Sequence, residues 1–475
     1  MLTYSFADLG SDSLYEHLYK CIKNDIIKGT LKAGDKLPSK RNFAKNLNIS
    51  TITVENAYGQ LMAEGYIYSI SKKGFFVCDI TKNLTNKEIE LKSDVQYKDS
   101  NKGYINDSRY YFADFLSNRT SKDNFPFSIW AKLMREVISE KNDELLVSPP
   151  GGGILELREA IADYLWQFRG MKVSPNQIIV GAGTEYLYGL LIQLFGTNKI
   201  FAVEDPGYKK ISQIYKSNGI KCEFIPLDDE GISVSELEAR KADIIHISPS
   251  HHYPTGKVMP ISRRYEILGW ASKSDSRYII EDDYDCEFRL LGKPIPSMES
   301  IDVMEKVIYM NTFTKSLAST IRISYMVLPR NLLEMFYSKL GFYSCTVSNF
   351  EQYTLARFIK EGYFEKHINR MRNYYRNKRD YMVENINKYS SLASVKIKEE
   401  DAGLHFLLEV DTDMTDDELI KAAMDNDIRI SCLSKYYHNH ENAKKHIIVI
   451  NYSGIENNKI EEAVKRLLKS IKRNK

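Results

Sequence analysis

The first eighty residues place hydrophobic side chains at helical spacing and then in two short strand-like runs. A helix is predicted over residues 13 to 28, where apolar positions recur every three or four residues. The segment GTLKAGDKLPS, with two glycines and Pro38, then breaks the pattern, and two shorter helices follow, the second capped by Ser50. The run GYIYSISKKGFFV predicts a β-hairpin around a Lys-Lys-Gly turn. This order of elements predicts a winged helix-turn-helix over residues 1 to 80.

The next segment, residues 81 to 108, is polar and charged and has few apolar positions. We interpret it as a flexible linker, because a segment of this composition cannot bury enough apolar surface to stay folded. As a flexible coil, about 28 residues would have an end-to-end distance on the order of 30 Å. That reach would allow the N-terminal head to pack on another subunit.

Residues 109 to 475 alternate short β-rich runs with longer helical stretches. The runs QIIVGAG, KIFAVED, DIIHISPS, RYIIEDDY, VIYMNTF and ISYMVLP are almost continuously apolar, which is typical of a mostly parallel sheet with helices on both faces. Residues 395 to 475 add VKIKEE, LHFLLEV, IRISCL and HIIVINY before an amphipathic helix. The sequence therefore predicts an α/β fold, with a large α/β lobe and a smaller α+β lobe.

Composition narrows the class of protein further. The chain has 475 residues, 43% of them apolar, and a formal net charge of +3, so its overall charge does not indicate a nucleic-acid partner. No apolar run reaches the roughly 18 to 20 residues that span a bilayer, and the N-terminus lacks the pattern of a signal peptide. We expect a cytoplasmic protein with no membrane partner. The six cysteines are far apart, which indicates neither disulfides nor a metal site.

The segment NTFTKSLASTIRISY, residues 311 to 325, places a lysine in a hydroxyl-rich turn and an arginine seven residues later. A lysine that forms a Schiff base needs an anchored aldehyde, and pyridoxal phosphate is the commonest one. Lys315 would form the Schiff base, and Arg322 would offer its planar guanidinium to the phosphate. Thr312 and Thr314 would donate hydroxyls. Alone, such a turn is more often a solvated strand end, so the motif needs support from elsewhere.

Other strand ends supply the remaining contacts that this cofactor needs. The strand IIVGAG leads into a helix at Gly183 and Thr184, where free N–H groups suit a phosphate. Asp282 could keep a pyridine nitrogen protonated, and Tyr284 could hydrogen-bond the phenolic oxygen. After a Pro-Gly turn, the ring of Tyr208 could stack on the cofactor. Each feature alone also fits a plain turn or a solvated strand end, but parallel strands bring their carboxyl ends to one crevice.

In this order the motifs resemble those of the MocR subfamily of GntR-type transcriptional regulators, in which a winged helix-turn-helix is fused to a fold-type I aminotransferase-like domain. The segment AGDKLPSKRNFAKNLNISTITVENAYGQLMAEGYI is similar to the GntR pattern. In the body, PPGGGILELREAIADYL, DPGY, SPSHHYPTG, IEDDYDCEFR and NTFTKSLASTIRISYMVLP are similar to this subfamily. The resemblance implies pyridoxal phosphate bound to Lys315. The other cofactor ligands that it implies are Asp282, Tyr284, Tyr208, Gly183, Thr184 and Arg322.

The chain also departs from the family pattern. Thr51 stands where many members have an arginine after the recognition-helix cap. Lys210 stands where a relative that senses an amino acid has an arginine for the effector carboxylate. Tyr253 replaces an asparagine of free aminotransferases, and the apolar run HIIVINY replaces their late arginine. We expect Lys210 and Tyr253 on the effector side of a pocket that keeps the cofactor but has lost parts of a substrate clamp.

Basic residues cluster in the head although the net charge of the chain is small. Between residues 28 and 45, six basic residues accompany one acidic residue. Such a loop suits backbone phosphates, and the N-terminus of a recognition helix suits base edges, although a charge cluster is often only a solvated face. The predicted DNA contacts are Lys36, Ser39, Arg41, Ser50, Thr51, Thr53, Asn56, Lys72, Lys73 and Gly74.

Two functions fit these features. The main hypothesis is a homodimeric regulator that binds double-stranded DNA, senses pyridoxal phosphate or an amino compound that reacts with it, and controls genes of vitamin B6 or of amino-acid and amine metabolism. The alternative is an active aminotransferase with an accessory DNA-binding head. Because the substrate clamp is incomplete, we expect no turnover. A binding module without cofactor is disfavoured because Lys315, Asp282 and Arg322 are all present.

Overall fold

The computed structural model describes residues 2–6, 12–79, 110–117, 124–290, 296–399, 401 and 403–472. The chain divides into two compact units, Met1–Asp107 and Ser108–Lys475, and each is treated by itself below. The predicted linker, residues 81 to 108, lies outside the described residues.

The N-terminal unit packs helices against a small antiparallel sheet. Its elements, in chain order, are α1 (Leu14–Ile27), β1 (Lys36–Leu37), α2 (Lys40–Leu47), α3 (Thr51–Ala63), β2 (Ile67–Ile70) and β3 (Gly74–Val77). The strand order is β1-β3-β2, and β2 and β3 form the expected wing. Leu18, Phe43 and Tyr58 are buried in the core. The Ser50 side chain caps α3 by accepting a hydrogen bond from the Thr53 N–H at 3.1 Å. The predicted winged helix-turn-helix is confirmed.

The main sheet of the second unit is mixed but mostly parallel. After β4 (Ala113–Asp114), its strands are β5 (Ile178–Gly181), β6 (Ile200–Asp205), β7 (Lys221–Pro226), β8 (Ile244–Ile247), β9 (Tyr278–Asp282), β10 (Val307–Thr312) and β11 (Ser324–Val327). Their order is β5-β11-β10-β9-β8-β6-β7. Strand β11 runs antiparallel to both neighbours, whereas the other described pairs are parallel.

Helices cover both faces of this sheet. They are α4 (Phe127–Glu140), α5 (Asn142–Leu145), α6 (Leu155–Arg169), α7 (Thr184–Phe195), α8 (Lys209–Ser217), α9 (Val234–Ala239), α10 (Ile261–Ser272), α11 (Met298–Ile301), α12 (Phe313–Ser316), α13 (Arg330–Leu340), α14 (Asn349–Lys360) and α15 (Tyr363–Lys388). Successive side chains of a strand point to opposite faces. Accordingly, Ile279 and Ile280 of β9 belong to different apolar clusters, as do Ile244 and Ile245 of β8. The α/β prediction is confirmed.

The smaller lobe contains an antiparallel sheet of order β12-β13-β16-β15. Its elements are β12 (Val395–Lys398), β13 (His405–Val410), α16 (Asp416–Asp425), β14 (Ile428–Arg429), β15 (Ser431–Cys432), β16 (Ile447–Asn451) and α17 (Ile460–Ser470). The run IRISCL, expected as one strand, is divided at the buried Ile430, because β14 pairs with β4 and β15 pairs with β16. In the parts of the chain that the structure describes, no helix is long and apolar enough to cross a bilayer.

Candidate cofactor site

A cavity of about 610 Å³ opens at the carboxyl ends of the parallel strands. Asp205, Asp282 and Thr312 end β6, β9 and β10, and all three line it. Gly183 lies directly beside the Arg322 guanidinium. The predicted residues that line the same cavity are Thr184, Tyr208, Lys210, Tyr253, Asp282, Tyr284, Thr312, Thr314, Lys315 and Arg322.

A buried chain of hydrogen bonds orients the Asp282 carboxylate. Its Oδ2 accepts from the Tyr188 hydroxyl at 2.5 Å and lies 3.2 Å from His246 Nε2. The Nδ1 of His246 is 2.6 Å from the Tyr215 hydroxyl, which fixes the ring. Burial raises the pKa of the Tyr188 hydroxyl well above its ordinary value, with a further contribution from the Asp282 charge. Tyr188 therefore keeps its proton and donates a hydrogen bond to Asp282.

The other oxygen of this carboxylate is free to receive a ligand. Asp282 Oδ1 is buried and has no hydrogen-bond partner within the described structure. A buried acceptor without a donor costs about 1 to 3 kcal/mol, so the site favours a group that brings a donor to this oxygen. A protonated pyridine nitrogen is such a donor, and a carboxylate beside it keeps the proton in place. Asp282 thus fits the ring nitrogen of pyridoxal phosphate.

Lys315 lies in the short helix α12, directly after β10. Burial lowers the pKa of its ammonium to about 8, and the Asp285 carboxylate opposes that shift. The turn is rigid because Thr312 Oγ1 accepts from the Thr314 N–H at 3.1 Å and from the Ser324 hydroxyl at 2.8 Å. A lysine must lose its proton before it can attack an aldehyde. The lowered pKa therefore fits the role that the sequence assigns to Lys315.

The N-terminus of α7 and the Arg322 guanidinium form the part of the cavity that fits a phosphate. Gly183 is the residue before α7 and has a φ of +92°, a backbone conformation that favours glycine. A Cβ at this position would overlap the Arg322 guanidinium. Free N–H groups in the first turn of a helix attract anions. Glu185 supplies an internal anion here, since it pairs with Arg322 at 3.3 Å and with Lys210.

Tyrosine rings form another side of the cavity. The side chain of Tyr208 is half exposed, and its ring lies edge-on to Tyr253 with centroids 5.8 Å apart. The Tyr253 hydroxyl is 2.9 Å from that of Tyr436. Tyr284 Oη lies 3.3 Å from His251 Nδ1. An exposed ring such as Tyr208 is available for stacking on a ligand.

The late strand β16 carries no cation toward this cavity in the described structure. Its Val449 is buried in an apolar cluster with Leu407, Leu433 and Tyr437, against which Tyr253 packs. The run HIIVINY therefore contributes buried apolar side chains to this cluster and no arginine.

Several residues of the site were missed by sequence reasoning. His246 could have been suspected because it is a single polar residue in the apolar run IIHI, and Tyr188 because it lies one helical turn after Thr184. Glu185 and Asp285 gave no usable signal, since an acidic residue at a helix start or a strand end is common.

The predicted DNA contacts lie in the N-terminal unit and are mostly exposed. Thr53 and Gly74 are partly buried, and the others are exposed. Ser50 and Thr53 are engaged with each other, because their hydroxyl oxygens are 2.8 Å apart and Ser50 caps α3. Lys36 extends over the ring of Phe76, with its Nζ 6.0 Å from the centroid. The loop and the wing therefore present their basic side chains to solvent.

Comparison with known proteins gives a family match for each of the two units. Residues 14–77 match the model of the gntR family of bacterial regulatory proteins, and residues 115–467 match that of the class I and II aminotransferases. The chain is 38% identical to the uncharacterized HTH-type transcriptional regulator YdeL of Bacillus subtilis, over 96% of each protein. It is 30% identical to the probable rhizopine catabolism regulatory protein MocR of Rhizobium meliloti, over 96% of this chain and 93% of that protein. The chain belongs to the MocR type of GntR transcriptional regulators.

The body of this MocR-type regulator also resembles solved aminotransferases. Kynurenine aminotransferase of Pyrococcus horikoshii, solved in complex with PMP, is 25% identical with a TM-score of 0.67, over 77% of this chain and 91% of that one. Class I and II aminotransferases use pyridoxal phosphate, which supplies an electron sink when it is bound. Pyridoxal phosphate is therefore the cofactor of this regulator, and three residues predicted to hold it, Asp282, Lys315 and Arg322, line one cavity.

Proposed function

We propose that this regulator uses the cavity as a sensor, without turnover, and that occupancy of the cavity changes how the head binds DNA. One observation carries this proposal: the cavity is lined by Lys315 and by Asp282 with its open carboxylate oxygen, whereas strand β16, with its buried Val449, carries no arginine that could hold a substrate carboxylate. A transaminase must orient its substrate carboxylate to turn over. A sensor needs only to bind its ligand differently in two conformations.

The proposed effector is pyridoxal phosphate itself or an amino compound that takes the place of Lys315 on it. Differential binding of this kind typically couples two sites by about 1 to 3 kcal/mol, enough to change DNA affinity by about 5-fold to 150-fold. Lys210 and Tyr253, the residues predicted to contact the effector, both line this cavity. The controlled genes would be those of vitamin B6 or of amine and amino-acid metabolism. Since the operator is DNA, a cytoplasmic location is part of the proposal.

A homodimer is proposed from an exposed apolar patch on the second unit. The patch contains Leu146 and Val147, whose exposed fractions are 85% and 65%. Phe350 belongs to the same region, because the side-chain amide of its neighbour Asn349 donates to the Val147 carbonyl oxygen at 2.7 Å. Contiguous exposed apolar side chains mark an interface. A second copy of this chain is the proposed partner, and such a dimer would present two heads to a repeated or palindromic operator.

The dimer is tested with one substitution inside the patch and one outside it. We expect Leu146→Asp to give a monomer in light scattering, because dimer formation would bury the new carboxylate away from water at a cost in free energy. Val303→Asp is the matched control, since Val303 is 89% exposed in the turn after α11 and its substitution should leave the dimer intact. A wild-type protein that is monomeric at working concentration would refute the proposed dimer.

The sensor proposal is tested by the visible spectrum of the cofactor-loaded protein during addition of amines and amino acids. A compound that shifts the cofactor band persistently, and that changes operator affinity in parallel, supports sensing. The Lys315→Ala variant should lose the covalent band while its head still binds DNA. If the cofactor instead converts to its amine form and a keto acid restores it over many cycles, the protein is an aminotransferase and the sensor proposal is wrong.

A further inference from the structure

The recognition helix α3 carries no basic side chain. Its residues, TITVENAYGQLMA, include neither lysine nor arginine. DNA phosphates are usually contacted by such side chains, so in this head the loop and the wing must supply them. Lys36 before α2, Arg41 in the first turn of α2, and Lys72 and Lys73 in the wing are exposed. Helix α3 is therefore left with base recognition as its main contribution.

The exposed face of α3 combines an apolar, an acidic and an amide side chain. Ile52 is 68% exposed, and Glu55 and Asn56 are also exposed. Because residues three and four apart lie on one face of a helix, these side chains form a single surface near its N-terminus. The hydroxyls of Ser50 and Thr53 are bonded to each other, so they contribute less to this surface than the sequence suggested.

A salt bridge holds Glu55 in place. Its Oε1 lies 2.6 Å from Lys40 Nζ, and Lys40 also lies over the ring of Phe75, 5.5 Å from the centroid. The lysine offsets the repulsion between this carboxylate and nearby phosphates. The pair involves Oε1, so the second carboxylate oxygen is the candidate acceptor for a base.

These side chains match particular groups in the major groove. Thymine presents a C5 methyl group, which apolar side chains contact, and cytosine presents an N4 amino donor, which Glu accepts. We infer that Ile52 recognises a thymine methyl and that Glu55 accepts from the N4 amino group of a neighbouring cytosine. This inference rests on DNA binding by the head and names the residues that would determine its sequence preference.

The first experiment identifies a site and then removes single groups from it. The full-length, cofactor-loaded protein selects duplexes from a random library, and each thymine of the enriched site is replaced by deoxyuridine, which lacks only the methyl group. Wild-type protein should lose about fourfold in affinity at one position, the contribution of one buried methyl group. Ile52→Ala should bind the thymine and deoxyuridine duplexes equally. Ile27→Ala, which alters another exposed isoleucine at the end of α1, should discriminate as wild type does.

The second experiment concerns Glu55. Glu55→Ala should lose about tenfold in preference for cytosine at one position of the selected site, while its affinity for random-sequence DNA stays equal to or higher than that of wild type. Unchanged base preferences in Glu55→Ala would refute its assignment, and wild-type indifference to deoxyuridine at every position would refute that of Ile52. Enrichment of no sequence at all would refute sequence-specific DNA binding itself, which is a separate outcome.

Discussion

The rate at which Lys315 reacts with the cofactor should depend on a pKa well below that of an ordinary lysine. Burial lowers the pKa of this ammonium to about 8 from 10.5. With a pKa of about 8, about a quarter of the side chains are neutral at pH 7.5, compared with about one in a thousand at 10.5. The neutral fraction is therefore roughly two-hundredfold larger than for a solvated lysine. Since only the neutral amine attacks the aldehyde, cofactor capture should be fast at neutral pH.

Stopped-flow absorbance can measure this directly. Cofactor-free protein is mixed with pyridoxal phosphate between pH 6.5 and pH 10, and the rate of the covalent phase is recorded. The rate should rise about tenfold per pH unit well below pH 8 and level off above it, because the amine is protonated at the lower pH and neutral at the higher. A small amine measured alongside corrects for ionisation of the cofactor itself.

The chain provides an internal control for this measurement. Burial also lowers the pKa of Lys378 to about 8, although Lys378 donates to the Ser453 carbonyl oxygen at 3.0 Å in the smaller lobe. The Lys315→Ala variant keeps Lys378 and should show no covalent phase. A phase with a midpoint near pH 8 in that variant would show that the signal comes from another lysine. A wild-type midpoint near 10.5 would refute the desolvation argument.

Three further predictions concern the binding of the cofactor. Glu185→Gln should strengthen pyridoxal phosphate binding in a fluorescence titration. The gain should be no more than about fivefold, because the Glu185–Arg322 ion pair is exposed. Weaker binding would show that Glu185 does not compete with the phosphate for Arg322. Gly183→Ala should weaken binding by about tenfold or more. The new methyl group would overlap Arg322, and the backbone φ of +92° at this position favours glycine. Unchanged affinity would show that the phosphate binds elsewhere. Tyr188→Phe should weaken binding by about 3-fold to 30-fold, since it removes a charge-assisted hydrogen bond to Asp282, and a shift in the band of the bound cofactor should accompany the loss.

Much of the architecture followed from the sequence because buried parallel strands are almost continuously apolar. The apolar runs around Ile245 and Ile280 are typical of buried parallel strands. The residues that follow these strands were therefore expected at one edge of the sheet. Strand β7, with the mixed run KCEFIP, was not anticipated. It lies at the end of the strand order, and an edge strand with polar residues lacks the apolar signature of a central one.

The networks within the site could not be predicted, because they depend on which strands are neighbours. His246 reaches Asp282 because β8 pairs directly with β9, and sequence order alone does not fix that pairing. Likewise, Glu185 meets Arg322 only because β11 lies beside β5, the strand that precedes α7. An acidic residue at the start of a helix is ordinarily a favourable dipole contact. The expectation that Glu185 competes with the phosphate arises only from its ion pairs with Arg322 and Lys210 in the fold.

The two ends of the cavity differ in how they can hold a ligand. Asp282 is 5% exposed and bonded through a buried chain, so the ring nitrogen would be held by interactions that salt barely screens. The Arg322 and Glu185 side chains are 45% and 43% exposed, and ion pairs in that setting weaken as ionic strength rises. The phosphate end would then limit how long the cofactor stays bound, because Glu185 is expected to compete with the phosphate for Arg322. Such a site exchanges its cofactor more readily than one closed at both ends, and that property favours sensing of pyridoxal phosphate itself over permanent retention for catalysis.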